Sequence, residues 1–367
     1  MVSICRVNSG YTSTSDPLEG IRSGEIDSKP PVNVAVVGLG FMGTVHLNAY
    51  NRIPSSRIVA LCGASRIPVN GVLKGLEGNI TAPKALHFGP DVKVYRHFEE
   101  LLTDPRVQLV DLCTPTALHA EQSIAALQAG KHVLCEKPVA RTSAQARKII
   151  KAAQSTAGFF MPAMCMRFWP GWSFLKKIVQ EKTYGNVLAA RFSRVSEAPT
   201  WSKETYAQTS QSGGALFDLH IHDTDFVQFL FGRPSAVFST GVKRFDGSID
   251  HVSTQYLFPN GPPVLAEGSW LLNKGFNMSY FIFCEGATLE YSLDRGENAL
   301  CLSEKGQSPR IVSIAGDGYL EEIRYMIDCI QMSRQPSVVT VQEGLSALEI
   351  CEAEEKSINT GQVVPVQ

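Results

Sequence analysis

Between Val32 and about Phe160, short apolar runs alternate with segments of helical length. That is the pattern of a parallel sheet whose strands are joined by crossover helices. The predicted strands are Val34–Val37, Ile58–Cys62, Gln108–Cys113, His132–Cys135 and Phe159–Met164. Helices are expected at Met42–Arg52, Phe98–Thr103, Ala117–Ala129 and Ala144–Gln154, ended respectively by Pro54, Asp104-Pro105, Gly130 and Gly158. The stretch Ile67–Asp91, rich in Gly and Pro, has no periodicity and reads as a surface insertion.

Beyond about Gly185, β-rich runs follow one another with turns between: Val187–Val195, Ala236–Arg244, Val252–Phe258, Val264–Leu271, Met278–Cys284 and Thr288–Ser292. They predict an open, mainly antiparallel sheet. A helix interrupts at Ala215–Phe231, and helical periodicity returns at Tyr319–Ile330 and Val341–Ile358. The expected organisation is a loose extension at 1–31, an α/β domain at 32–157 and an α+β domain at 158–367.

Composition agrees with two soluble domains, since 367 residues exceed what one core usually organises. The 34 basic and 35 acidic residues are spread without long runs, which removes the electrostatic footprint of a nucleic-acid binder and favours a small-molecule ligand. No apolar window approaches a membrane span, and the first thirty residues hold no signal-peptide core. Nine cysteines, an odd number without a CxxC pair, read as reduced thiols and hence as a cytoplasmic protein.

The run Val34-Ala35-Val36-Val37-Gly38-Leu39-Gly40-Phe41-Met42-Gly43 is a strand feeding GxGxxG and then a helix. In that setting Gly38 makes the tight turn, Gly40 lets a pyrophosphate approach the backbone, and Gly43 permits close helix packing. The amides of Phe41 and Met42 at the helix start then face the phosphates. This is a Rossmann dinucleotide site. The carboxylate that takes the ribose 2′-hydroxyl should stand at the end of the second strand, but the chain there reads Cys62-Gly63-Ala64-Ser65-Arg66. Ser65 and Arg66 suit a 2′-phosphate instead, so the cofactor is NAD or NADP with a lean to NADP.

The segments Cys113-Thr114-Pro115, His119, Gly130-Lys131-His132-Val133-Leu134-Cys135-Glu136-Lys137-Pro138 and Gly213-Gly214-Ala215-Leu216-Phe217-Asp218 with His222 resemble the Gfo/Idh/MocA dehydrogenases. The resemblance implies a substrate that is a sugar, an inositol or a related polyol or keto-sugar. It also implies a homodimer or homotetramer built through the second sheet. Lys137 would contact nicotinamide and substrate, with Asp218 and His222 as the proton-handling pair. Thr114, Pro115, His119 and Glu136 would lie on the cofactor side, and Arg167 would bind substrate. Some relatives are NAD-dependent glycoside hydrolases that oxidise, eliminate and re-reduce, which is the alternative activity.

Hydride transfer from a carbinol needs a base for the hydroxyl proton and a donor to steady the alkoxide, tasks that histidine and lysine suit. On an α-helix, residues i and i+4 share a face, so Asp218 is expected to hydrogen-bond His222 and fix its tautomer, with Asp225 on the same face. His220 and Asp223 depart from the family pattern, which usually has glycine and an apolar residue there. Asp223 falls in the apolar stripe of Leu216, Leu219, Phe226, Val227 and Leu230, so it is expected to pair with His220 or with the sheet as a structural tie. The two imidazoles of His220 and His222 diverge on a helix, so no metal site is expected. Trp201 and Trp270 are candidates to stack on a sugar ring.

Overall fold

Val32–Val37 (β1) is apolar on both faces and buried at every position except Asn33, as an interior strand of a parallel sheet must be. The computed structural model describes residues 29–76, 78, 82–199, 213–244 and 247–366. After β1 come Ser56–Cys62 (β2), a two-stranded ribbon of Val72–Lys74 (β3) and Ala85–His87 (β4), and Lys93–Tyr95 (β5). Leu109–Leu112 (β6), His132–Glu136 (β7) and Phe160–Ala163 (β8) complete a parallel sheet in the order β5-β2-β1-β6-β7-β8. The ribbon lies in the stretch expected to be an irregular insertion.

The order reverses across β1, with β2 on one side and β6 on the other, which opens a crevice at the carboxyl ends of these strands. Helices Phe41–Tyr50 and Thr116–Gln128 start at that crevice. A short helix, Phe98–Leu102, and a longer one, Ser143–Gln154, complete the crossovers.

A second sheet of nine strands has the order β16-β15-β14-β13-β9-β12-β11-β10-β17. Its members are Val187–Glu197 (β9), Ala236–Lys243 (β10), Ile249–Leu257 (β11), Val264–Ser269 (β12), Leu271–Cys284 (β13), Ala287–Ser292 (β14), Leu300–Glu304 (β15), Arg310–Val312 (β16) and Val364–Pro365 (β17). All its pairings are antiparallel except β12 with β9. One face carries helices Pro170–Glu181 and Ile221–Phe231 around a core of Trp172, Phe192, Phe226 and Tyr280. The other face exposes Phe238, Leu265 and Phe283.

The packing does not follow the linear division at residue 157. Strand β8 belongs to the first sheet, and Ile323, Met326 and Leu348 from helices Gly318–Gln331 and Val341–Thr360 join the first sheet's core. The chain therefore crosses to the second sheet and returns. Among the described residues no helix is long and apolar enough to cross a membrane, and the eight cysteines described are free thiols. The extension at 1–28 and Trp201 lie outside the described residues.

Candidate functional site

Gly38 sits at φ +89°, and a Cβ there would stand 2.5 Å from the carbonyl oxygen of Cys113. Only glycine fits this turn, which brings the loop after β6 against the loop after β1. Above Gly40 the space is open, with nothing within 4 Å of where a Cβ would be. Gly40 caps helix Phe41–Tyr50 without a side-chain hydrogen bond, and the first turn holds no acidic residue. The positive end of that helix suits an anion, so the residues present fit a dinucleotide pyrophosphate.

At the end of β2, a Cβ on Gly63 would stand 2.0 Å from the Arg66 carbonyl oxygen, so the backbone itself excludes a carboxylate side chain from this position. Ser65 is exposed, and the Arg66 guanidinium donates to the carbonyls of Leu39 in the glycine loop and Lys74 at the end of β3. Thr114 Oγ1 donates to Gln122 at 2.7 Å, and Pro115 caps helix Thr116–Gln128.

His119 and Glu136 are not presented to a cofactor. His119 is 1% exposed, with Nδ1 and Nε2 each 2.7 Å from a backbone carbonyl, those of Pro138 and Thr114. It braces the two loops from beneath, and burial pushes its pKa below the ordinary histidine value. Glu136 Oε2 accepts the Lys137 amide at 3.0 Å, and its Oε1 lies 3.2 Å from His46 Nε2.

His46 belongs to a buried cluster that the sequence reading missed. Its Nδ1 is 2.8 Å from Asp111 Oδ2 and 3.5 Å from Cys113 Sγ. Burial opposes its charge, but Asp111 and Cys113 together outweigh burial and hold the imidazole pKa well above the usual value. An imidazolium thus bridges two carboxylates. Glu322 faces the same cluster, fully buried and with neither carboxyl oxygen hydrogen-bonded among the described residues; burial and then Glu136 push its pKa well up. Asp111, a charge inside the apolar strand Leu109–Leu112, was the available signal, because such a charge requires a partner.

Lys137 and Asp218 are brought together. Lys137 Nζ donates to the Asp218 carbonyl at 2.6 Å and to Asp218 Oδ1 at 3.0 Å. Burial disfavours the ammonium, yet Asp218 and then Glu136 overcome it, and the lysine pKa lies above its ordinary value. Leu216–His220 forms a π-helical turn rather than the first turn of an α-helix. Such turns are frequent at functional sites. The expected bond from Asp218 to His222 is replaced by the bond to Lys137, and His222 Nδ1 is buried without a hydrogen-bond partner among the described residues. Burial, and then the charges of Lys137 and Arg194, drive the His222 pKa well below 6.5.

His222 opens onto a small cleft whose walls include Trp169, Leu219, Phe276, Tyr319 and Arg194. Arg167 is not in it. Its guanidinium forks onto Asp225 at 2.8 and 2.7 Å and donates to Glu343 and the Val338 carbonyl, both at 2.7 Å. Four of its five N–H groups are taken by these acceptors and the side chain is fully buried, so Arg167 ties helix Ile221–Phe231 to the start of helix Val341–Thr360. Asp225 accordingly faces Arg167 and not the Lys137 side. Trp270 is 4% exposed and packs with Ala215 and Leu219, a core role.

His220 and Asp223 do not pair with each other but with elements around them. Asp223 accepts from Arg194 on β9 at 2.8 and 3.3 Å. His220 Nε2 lies 3.1 Å from the Tyr256 hydroxyl and 3.4 Å from Glu354.

Residues 32–163 match the model of an oxidoreductase family with an NAD-binding Rossmann fold, and residues 172–290 match the GFO/IDH/MocA C-terminal domain. A levoglucosan dehydrogenase of Pseudarthrobacter phenanthrenivorans is 32% identical over 213 residues, 56% of this chain and 53% of that protein. A myo-inositol 2-dehydrogenase of Thermotoga maritima is 24% identical over 348 residues, 92% of this chain and 99% of that protein. Among solved structures, levoglucosan dehydrogenase in complex with NADH and L-sorbose superposes with a TM-score of 0.76 at 22% identity, covering 92% of this chain and 100% of that one. At that identity the likeness is one of fold.

Proposed function

The chain belongs to the Gfo/Idh/MocA family of NAD-binding oxidoreductases, and on that premise we propose that it oxidises a ring hydroxyl of a sugar, an inositol or a related polyol, or reduces the matching ketone. The observation that carries this reading is the Lys137–Asp218 pair, whose ammonium lies close enough to His222 to act on its charge.

Gly38, Gly40, Phe41, Met42 and Gly43 would hold the pyrophosphate, Ser65 and Arg66 the adenosine ribose or its phosphate, and Thr114 and Pro115 the nicotinamide side. A nicotinamide held there would supply the acceptor for the hydride of the carbinol carbon, or its donor in the reverse direction. His222, held neutral at neutral pH by burial and two nearby cations, accepts the hydroxyl proton. Lys137, held charged by Asp218, donates to the same oxygen and stabilises the alkoxide as the C=O bond forms. Asp218 aims the ammonium with two bonds from one residue and so fixes where that oxygen must sit. Hydride and proton leave separately, so the carbinol loses two hydrogens and the charges balance.

The aromatic walls at Trp169, Phe276 and Tyr319 suit the C–H faces of a ring. Relatives named for levoglucosan and myo-inositol support the substrate class. The absence of room for a carboxylate at Gly63, with Arg66 beside it, favours NADP. The exposed apolar residues on the outer face of the second sheet favour a homodimer or homotetramer through that face.

The test is to incubate the protein with NAD or NADP and a panel of neutral polyols and follow nicotinamide absorbance. Stoichiometric reduction supports a dehydrogenase. Turnover of a glycoside with no net change in absorbance supports the hydrolase alternative, and no turnover of any ring alcohol contradicts both.

A further inference from the structure

Arg194 stands on β9, whose alternate residues Ala190 and Phe192 point into the core. The same alternation carries Arg194 inward, where it is 3% exposed. A buried guanidinium needs acceptors for five N–H groups. Nε and one N–H of Nη2 are taken by Asp223, at 2.8 and 3.3 Å, and the group lies 5.3 Å from the Trp172 ring. Among the described residues Nη1 has only the thioether sulfur of Met278, at 3.2 Å, a weak acceptor.

Arg194 and Met278 both line the cleft that holds His222. The under-used end of the guanidinium is therefore at the wall of the space where the reacting ring must lie, and Asp223 holds the other end. We propose that Arg194 is a specificity-determining residue whose Nη1 donates a hydrogen bond to an oxygen of the substrate other than the one being oxidised. Asp223 is the positioning residue behind it. Lys137 is matched by Asp218 and Arg194 by Asp223, so the cleft carries no excess charge and the oxygen is an uncharged hydroxyl or ring oxygen rather than a carboxylate. This rests on the dehydrogenase reading above and adds a second anchoring point to it. A site with two directional donors selects among stereoisomers of one ring, which a single donor does not do.

Removing Arg194 alone would strand the buried Asp223, so the pair is replaced as a unit by apolar residues, Arg194→Met with Asp223→Leu, a change that buried ion pairs tolerate. Arg194→Lys is the companion variant, keeping the charge on Asp223 while losing the planar fork. Both are compared with wild type using whichever of myo-inositol, levoglucosan and trans-cyclohexane-1,2-diol is turned over fastest, with KM, kcat, dinucleotide Kd and Tm measured. The expected result is a KM raised roughly ten- to a hundredfold in the double variant and less in Arg194→Lys, with dinucleotide Kd unchanged and Tm within a few degrees. A wild-type KM in either variant, or a loss confined to kcat or shared with dinucleotide affinity, overturns the proposal. Failure of wild type to oxidise any of the three compounds overturns the dehydrogenase reading itself, and this inference with it.

Discussion

Lys137 Nζ donates two bonds to one residue, 2.6 Å to the Asp218 carbonyl and 3.0 Å to its carboxylate, and so joins the end of β7 to the π-helical turn under the second sheet. The contact ties the loop after β7 in the first sheet to the helical segment that carries His222. Closing that distance depends on the packing of the two sheets, and anything that separates them removes the lysine from its target.

His222 carries a pKa depressed well below 6.5 by burial and by Lys137 and Arg194. The neutral form is the base, so protonation inactivates it, and a lowered pKa moves that loss to lower pH. The acid limb of kcat/KM for oxidation should therefore lie clearly below pH 6.5, the ordinary histidine value. His222→Asn should remove the limb and lower kcat by about 10²- to 10⁴-fold. A wild-type limb at or above the ordinary histidine value contradicts the assignment.

Arg66 is the one cation beside the closed carboxylate position at Gly63 that the sequence singles out for a 2′-phosphate. Arg66→Ala should raise Kd for NADP about tenfold, in keeping with the loss of a charge-assisted hydrogen bond, and change Kd for NAD by less than about twofold. Titration of intrinsic fluorescence with each dinucleotide reads both values. Equal weakening of the two would place Arg66 outside the phosphate site.

Glu322 is buried among carboxylates, and its folded pKa is raised well above 4.5. The folded state therefore binds its proton more tightly than the unfolded chain does. Any stability from this group is fully present below pH 4.5 and is lost as pH rises through the folded pKa. Glu322→Gln removes that dependence and should raise Tm by a few degrees at alkaline pH, with a gain that shrinks as the pH is lowered toward the unfolded pKa. A gain of constant size across the range would mean that the carboxyl does not titrate as its surroundings dictate.

The alternation of apolar runs and helices was enough to expect both sheets, because a buried parallel strand such as Val34–Val37 and a half-exposed one such as Val252–Phe258 differ in period. The glycine loop was equally legible, since Gly38 and Gly43 answer to backbone geometry that no other residue satisfies. What escaped was long-range pairing. The helical wheel placed Asp218 beside His222, but a π turn and the arrival of Lys137 from 81 positions away redirected the carboxylate. Arg167 and Asp225 found each other across 58 positions, away from the walls of the cleft that holds His222. Two anomalies could have been joined in advance: Arg194 at an inward strand position and Asp223 in an apolar stripe are each costly alone and compatible together.

The most direct measurement is the kinetics and dinucleotide binding of Lys137→Met. The account predicts that kcat falls by about 10²- to 10⁴-fold while the dinucleotide Kd stays within about twofold of wild type, because the ammonium acts on the substrate oxygen and the pyrophosphate is held by the glycine loop. A Lys137→Met enzyme that keeps its kcat, or that loses activity only because it no longer binds dinucleotide, would contradict it.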